Sequence, residues 1–391
     1  MEKCHTISRG TGIKRFVLDA RTAVNHFPGI GRYVSNLAQA MASLLHSDEQ
    51  LVLLRDSSQP SRWQLPPENK QVRWLQTAVS PFSLAQQTQI PKLLKNSTLY
   101  HSPYYLMPYR PGVPTILTVY DLIPQFYPEY ASARARLLFR LTTQLALRTA
   151  DHIIAISEAT RQDFLASYKI DPERITAVPL APAPHFHPQS PQHIQTIHHK
   201  YKLPDHYILY LGINKPHKNL SQLIRAWQIV CQQLVVAQRL EESPTLVIAG
   251  AWDNRYPEAK QLTSKLGLTE AVTFLGPVSD EDLPGLYAGA DLFVFPSQYE
   301  GFGLPVIEAM ACGTAVACAH TSSLPEVGGD AAAYFDPNDT ADIAHTIIHL
   351  LQNEDERISR QQQGIQQAAQ FTWTKTAQMT IDLYRQTIRK L

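Results

Sequence analysis

Two carboxylates, Glu300 and Glu308, stand eight residues apart around the glycines Gly301 and Gly303. An ionised carboxylate only accepts hydrogen bonds, so such a pair suits a ligand rich in hydroxyls. The glycines let the backbone between them come close to that ligand. Pro305 follows where a first helical residue belongs, since its missing N–H would have no partner there. The amides around Leu304 to Val306 then face outward at the positive end of a helix dipole, a ready site for a phosphate. An anion beside several hydroxyls describes a sugar nucleotide. A second loop, Gly212-Ile-Asn214-Lys-Pro-His-Lys218-Asn, places the Lys218 ammonium near another helix start, where it can meet a diphosphate.

These residues need a frame. The run 292–295 is apolar, aromatic and short, as in a buried strand, and Pro296 ends it. Val306, Ile307, Met310 and Ala311 give the following helix an apolar face. Gly313 closes it, and 314–319 reads as the next strand. This β-α-β unit puts the loop at the carboxyl end of a strand, where open α/β sheets bind ligands. The same rhythm fills the chain. Strands are expected at 15–18, 51–54, 72–75, 99–102, 114–119, 151–156 and 175–179, then at 207–211, 246–249, 272–275 and 332–335. Between the two sets, 181–199 is rich in Pro, His and Gln and reads as a linker with a short helix near 194–201. The last helix carries Trp373, Ile381, Tyr384 and Ile388 at helical spacing. Ser157, at a strand end, can cap the following helix or line a cleft.

The segment from Glu300 to Gly313, Glu-Gly-Phe-Gly-Leu-Pro-x-x-Glu-Ala-Met-Ala-x-Gly, resembles the Glu-x7-Glu motif of the retaining glycosyltransferases of the GT-B fold. That large family includes bacterial mannosyl- and glucosyltransferases. The likeness covers nearly the whole chain and is strongest over 207–336. It implies an α/β fold of two Rossmann-like domains facing across a cleft. A flexible tail (1–12) would precede an acceptor domain (13–185) and a donor-nucleotide domain (186–370). A helix over 371–391 would cross back to the first domain.

Site roles follow from the resemblance. Glu308 would bind ribose hydroxyls. Glu300, with the backbone of Phe302 and Gly303, would bind the donor sugar. The amides near Leu304, with Lys218, would meet charge on the leaving diphosphate. The backbone near Val278 would edge the nucleobase. The Gly212 loop is similar to a family loop with Arg after the Gly; here that place is Ile213, so Lys218 acts alone or with another donor such as Asn214. Tyr120-Asp121 ends a strand where the family often carries His-Asp facing the donor sugar. A phenol donates a hydrogen bond but is a poor base near neutral pH, which counts against an acid-base role at this position. Glu300, Asp121 and Tyr120 are the catalytic candidates. Glu300 is either a nucleophile, as in retaining hydrolases, or, in the favoured reading, a binder of sugar hydroxyls while the leaving phosphate helps deprotonate the acceptor. Gly29-Ile-Gly31-Arg-Tyr is similar to an opening found in a mannosyltransferase-rich branch. It implies that Gly29 and Gly31 touch an acceptor or a phosphate, and it favours GDP-mannose over a UDP-sugar.

The same glycines fail as a dinucleotide fingerprint. They begin ten residues beyond Asp19, and the third glycine position is Val34, which disfavours an NAD-dependent oxidoreductase. No cofactor and no metal is implied: the helix dipole and Lys218 supply the charge. The string Asp280-Glu-Asp282 reads as a cap, with Ser279 ahead of Leu283. GT-B architecture also serves sugar-nucleotide epimerases, glycan phosphorylases and, in principle, non-catalytic carbohydrate-binding proteins.

Composition sets the outer bounds. The chain has 391 residues, 44% hydrophobic and 18% charged, with a net charge of +1. That balance carries no nucleic-acid footprint. Four cysteines without a Cys-x-x-Cys pair read as reduced thiols of a cytoplasmic protein. No apolar run is long enough to cross a bilayer, and 1–12 lacks a signal-peptide core. Leu137, Leu138, Leu141 and Leu145 lie among four arginines from Arg134 to Arg148. Such a helix either covers a sheet with a solvated outer face or lies on an anionic membrane at its inner surface.

Overall fold

The computed structural model describes residues 12–24, 28–56, 58, 63–130, 132–237 and 244–390; of the expected tail over 1–12, all but Gly12 lies outside them. Two sheets form. The first contains β1 (Lys14–Asp19), β2 (Glu49–Asp56), β3 (Val72–Thr77), β4 (Leu99–Ser102), β5 (Thr115–Val119), β6 (His152–Ala155) and β7 (Ile175–Ala177), in the order β3-β2-β1-β4-β5-β6-β7. The second contains β8 (Tyr207–Leu211), β9 (Thr245–Ala249), β10 (Val272–Gly276), β11 (Leu292–Phe295), β12 (Val316–Ala319) and β13 (Ala333–Phe335), in the order β10-β9-β8-β11-β12-β13. Every pairing is parallel. Parallel strands are covered on both faces, which is why their sequences are continuous apolar runs. All four residues of β11 are buried, as are all of β4, β5 and β12. The fold is that of two Rossmann-like halves.

Each sheet reverses its strand order once. In the second sheet β8 lies between β9 and β11, so the loops leaving β8 and β11 part on either side of a crevice. Such a switch point is where open α/β sheets bind ligands. The two loops are the Gly212–Asn219 stretch and the Ser297–Gly303 stretch. They run side by side, with Gln298 N–H donating to the His217 carbonyl at 2.8 Å. Topology alone therefore brings Lys218 to the loop that carries Glu300.

Local chemistry explains where elements stop. The opening helix Pro28–Ala42 ends short of Leu44 because the Leu44 N–H turns back onto Met41 at 2.9 Å. β12 starts at Val316, not at 314. The Thr314 N–H closes the preceding helix on the Ala309 carbonyl at 3.0 Å, and its hydroxyl donates to the Tyr287 carbonyl at 2.7 Å. The linker helix spans Pro191–Tyr201, longer than its periodicity suggested. Ser190 caps it, accepting from His193 N–H, and Pro191 fits its first position. Only Ile197 of it is buried, so the apolar signal was weak.

The terminal helix Trp373–Arg389 packs against the opening helix. Tyr384 sits edge-on to Phe16 at 5.3 Å, and its hydroxyl lies 2.6 Å from His101 Nδ1. The other ring nitrogen of His101 meets Thr118 at 2.7 Å, and burial pushes His101 down to about 3, so the imidazole is neutral. Arg385 donates to both Glu49 oxygens, at 2.9 and 2.8 Å. Thr376 donates to the Pro179 carbonyl at 2.7 Å, joining this helix to the outgoing linker.

Candidate active site

The motif loop joins β11 to the motif helix Leu304–Ala311. Gly303 has φ +101°, in the region that favours glycine, and a Cβ there would also press to 2.6 Å from Leu324 Cδ2. Its carbonyl receives the Val306 N–H at 3.0 Å. That amide therefore closes the turn rather than facing outward, and the anion-facing set narrows towards Leu304. Two serines brace the loop. Glu300 N–H donates to Ser322 Oγ at 3.0 Å, while Ser323 donates to the carbonyls of Glu300 and Phe302 at 3.0 and 2.7 Å. Phe302 is buried, edge-on to Phe371 at 5.9 Å.

Both acids meet cations. Glu300 Oε1 receives the Lys218 ammonium at 2.6 Å, and that ammonium lies 5.2 Å from the Phe295 ring centre. Lys218 ends a short turn, Pro216–Lys218, held by Asn219, whose amide donates to the Pro337 carbonyl at 2.7 Å. Glu308 is only 2% exposed. It accepts from Arg32 Nη1 at 2.7 Å on one oxygen and from the Tyr287 hydroxyl at 3.3 Å on the other. Burial pushes the Glu308 carboxyl up to about 7, with Arg32 pulling the other way. Arg32 also donates to Asp280 at 2.8 Å. Arg32 belongs to the opening helix, on the other sheet. Sequence reasoning passed over it, although it is the charged member of the Gly29-Ile-Gly31-Arg-Tyr segment.

The motif loop is also where the two halves touch. The Gly301 carbonyl accepts from Ser157 Oγ at 2.6 Å and from Thr160 Oγ1 at 2.9 Å. Ser157 caps its own helix as well, accepting from Thr160 N–H at 2.9 Å, so both of its expected tasks are present. Glu326 receives the first amides of that helix, at 2.9 Å from Glu158 N–H. Tyr299 donates to Asp163 at 2.8 Å, and the Tyr130 hydroxyl receives the His217 N–H at 2.7 Å.

Across from Glu300 lies the Tyr120-Asp121 pair. Burial raises the Asp121 carboxyl, with Glu300 adding to the shift while Lys215 and Lys218 oppose it. Burial also drives Tyr120 far above the usual phenol range, which removes it as a base. Its hydroxyl is buried without a hydrogen-bond partner among the described residues, and its ring is edge-on to Tyr33 at 5.6 Å. Beside it opens a cavity of about 540 Å³ lined by Gly29, Tyr104, Tyr105, Asp121 and Phe139 among others.

Three expected residues do other work. Asn214 does not offer a donor to the crevice. Its amide hydrogens go to the Asp253 and Tyr256 carbonyls at 2.8 and 2.6 Å, and its oxygen accepts from Asp253 N–H at 2.6 Å. Gly212 N–H extends the sheet to the Ala249 carbonyl at 3.0 Å, and its missing side chain makes room for the Tyr210 hydroxyl, 2.7 Å from where a Cβ would lie. Gly31 lies inside the opening helix, where a Cβ would fall 2.6 Å from Trp63 Cε2; it is a packing glycine, not a phosphate loop. Gly29, by contrast, leaves room for a Cβ among the described residues. Val278 is half-buried on the loop that carries Asp280. In the Asp280-Glu-Asp282 string, Asp280 faces Arg32, while Asp282 takes Lys200, Tyr201 and Ser279, each at 2.6 Å.

Comparison with known proteins bears on this geometry. A family model described as "Glycosyltransferase Family 4" matches residues 28–181, and one described as "Glycosyl transferases group 1" matches 194–369. O-antigen chain mannosyltransferase B of Escherichia coli is 34% identical over 290 residues, covering 73% of this chain and 74% of that protein. The chain is a group 1 glycosyltransferase. A second Escherichia coli relative, serotype-specific mannosyltransferase WbdA, is 32% identical over 272 residues, which span 68% of this chain and 33% of that protein. Among solved structures, the glycosyltransferase superposes on sucrose-phosphate synthase from Thermosynechococcus elongatus with a TM-score of 0.73 at 20% identity, over 97% of this chain and 100% of that one. It superposes on HepE from Anabaena, solved with UDP and glucose, with a TM-score of 0.73 at 19% identity, over 95% and 99%. At such identities the likeness establishes the GT-B fold of this glycosyltransferase. No helix among the described residues is long and apolar enough to cross a membrane.

Proposed function

We propose that the protein is a retaining hexosyltransferase that moves mannose from a nucleoside diphosphate sugar, GDP-linked foremost, to a glycan or lipid-linked acceptor. One observation carries the reading: Glu300 and Lys218 converge at the β8/β11 switch point opposite Asp121, with Glu308 one helical turn further along the motif helix. The mannosyltransferase relatives support the choice of sugar.

Glu308 takes the ribose hydroxyls, which replace Arg32 on its carboxylate. Glu300, with the backbone of Phe302 and Gly303, takes hydroxyls of the transferred sugar. Its ion pair with Lys218 favours this binding role over that of a free nucleophile. Lys218 and the Leu304 amide meet the charge that grows on the leaving diphosphate; stabilising such charge is commonly what lowers the barrier most. The acceptor lies in the aromatic cavity beside Tyr120. Its hydroxyl oxygen bonds to the anomeric carbon as the bond from that carbon to the phosphate oxygen breaks. The acceptor proton passes to the departing phosphate. No metal is required by this scheme, so a chelator should leave turnover unchanged.

The surface supports a peripheral membrane location at the inner face. On the helix Ala133–Thr149, Leu137, Leu138, Leu141 and Leu145 are 44–61% exposed, at spacings of three and four. Exposed Arg134 and Arg148 bracket that stripe. Apolar side chains between arginines fit an anionic lipid surface.

The test is Glu300→Gln. Transfer of mannose should be abolished while GDP binding, read by calorimetry, stays near wild type. Equal loss of both would reject the assignment. Thermal-shift screening with GDP, UDP and ADP identifies the base.

A further inference from the structure

We propose that Arg32 is a cation of the donor diphosphate site, supplied by the opposite half of the molecule. This rests on the donor reading above. Arg32 reaches from the opening helix of the first sheet and bridges two acids of the second half, Glu308 at 2.7 Å and Asp280 at 2.8 Å. Its side chain is 18% exposed, so the guanidinium is largely withdrawn from water.

Consider what donor binding does to it. Ribose hydroxyls that bond to Glu308 displace Nη1. A mostly buried guanidinium that loses an anionic partner is strongly destabilised unless another anion replaces it. The nearest replacement follows from helix geometry. Glu308 and Leu304 are four residues apart on the motif helix, about one turn of roughly 5.4 Å. Helical side chains lean towards the N-terminus, so the Glu308 carboxylate is tilted towards the Leu304 end. A diphosphate seated there lies within a side-chain rotation of Arg32. Its planar fork suits two phosphate oxygens, as an ammonium does not. Asp280, whose side chain is 35% exposed, can hold the other guanidinium nitrogen throughout, so the group pivots rather than leaving.

The arrangement couples two events. Arg32 and Lys218 stand on different halves, so a diphosphate gripped by both draws the halves together. Lys218 alone would bind the nucleotide without reporting its arrival to the acceptor side.

The experiment measures calorimetric affinities of wild type, Arg32→Gln and Arg32→Lys for a nucleoside and its diphosphate. The pair used is guanosine and GDP, or uridine and UDP if UDP binds wild type more tightly. The readout is the ratio of the nucleoside Kd to the diphosphate Kd. In Arg32→Gln this ratio should fall by about tenfold to a hundredfold, the usual range for hydrogen bonds to charged groups. Arg32→Lys should fall between. A purely structural role, or an altered charge on Glu308, would weaken both ligands together and leave the ratio unchanged; that result would overturn the proposal. Should Arg32→Gln fail to fold by circular dichroism, Arg32→Lys decides alone: an unchanged ratio refutes. Absence of diphosphate binding in wild type would instead sink the donor reading.

Discussion

Replacing Gly301 by alanine tests whether the motif loop sets the approach of the two halves. Gly301 has an ordinary backbone conformation, so an alanine brings no torsional penalty. The obstacle is steric. Its Cβ would overlap the Tyr120 carbonyl oxygen and lie 3.1 Å from the Tyr120 carbonyl carbon and 3.4 Å from Asp121 Cβ. Those atoms are backbone and the root of a catalytic candidate, and cannot rotate away. The loop must retreat from Tyr120 by roughly 1 Å, a displacement that in a reacting group costs on the order of a hundredfold in rate. The same retreat lengthens the bonds from Ser157 and Thr160 to the Gly301 carbonyl, each contributing about 1 kcal/mol. A hundredfold in rate corresponds to about 2.7 kcal/mol on the barrier. We expect turnover at saturating donor and acceptor to fall about a hundredfold. Affinity for the bare nucleoside, which one half holds by itself, should stay within about twofold. Steady-state kinetics and calorimetry on the same preparation give both numbers. Turnover within about threefold of wild type, or nucleoside affinity lost in step with turnover, would refute the argument.

Other outcomes can be read from single residues. The Glu308 carboxyl is pushed up to about 7 from its ordinary 4.5. Only the ionised form offers both oxygens to ribose, so diphosphate affinity should strengthen as pH rises through about 7, and Glu308→Gln should remove that inflection. Stability moves the opposite way: the folded state holds this proton more tightly, so the group's contribution is full below 4.5 and is lost as pH climbs to about 7. Asn214→Ala should lower stability by roughly 2–3 kcal/mol in denaturant titration, through three lost bonds, with diphosphate affinity within about twofold. Wild type should sediment with vesicles rich in phosphatidylglycerol, less so at high salt, and Leu138→Glu with Leu141→Glu should abolish this; binding unchanged by the substitutions would place the contact elsewhere.

The sequence revealed what repeats locally. β11, its proline stop and the Pro305 helix start are written in adjacent residues, and so are the two acids. The alternation of strand and helix sufficed for the fold. The Gly212 loop was placed correctly because it follows an apolar strand. What stayed hidden depends on residues far apart in the chain. Arg32 meets Glu308 from 276 positions away, and nothing local distinguishes it from a solvated arginine on a helix. Asn214 has the right type and position for a phosphate donor, yet Asp253 and Tyr256 take both of its hydrogens. Gly31 looked like a loop glycine because the indole of Trp63, which requires it, lies 32 residues on. The outer leucines of Ala133–Thr149 had two readings, since amphipathic spacing gives a stripe but not what covers it.

The chain passes between its halves twice, once after β7 and once on entering the terminal helix, and the Thr376 bond to Pro179 ties the two passages together. A body joined at a single point can swivel in any direction; one joined at two neighbouring points swings like a door. Opening of the crevice is thus restricted to rotation about the line through those passages. The contact of Gly301 with Ser157 lies close to that line, since the adjoining Phe302 packs on Phe371 at the second passage, so it shifts little while the outer parts of the crevice part.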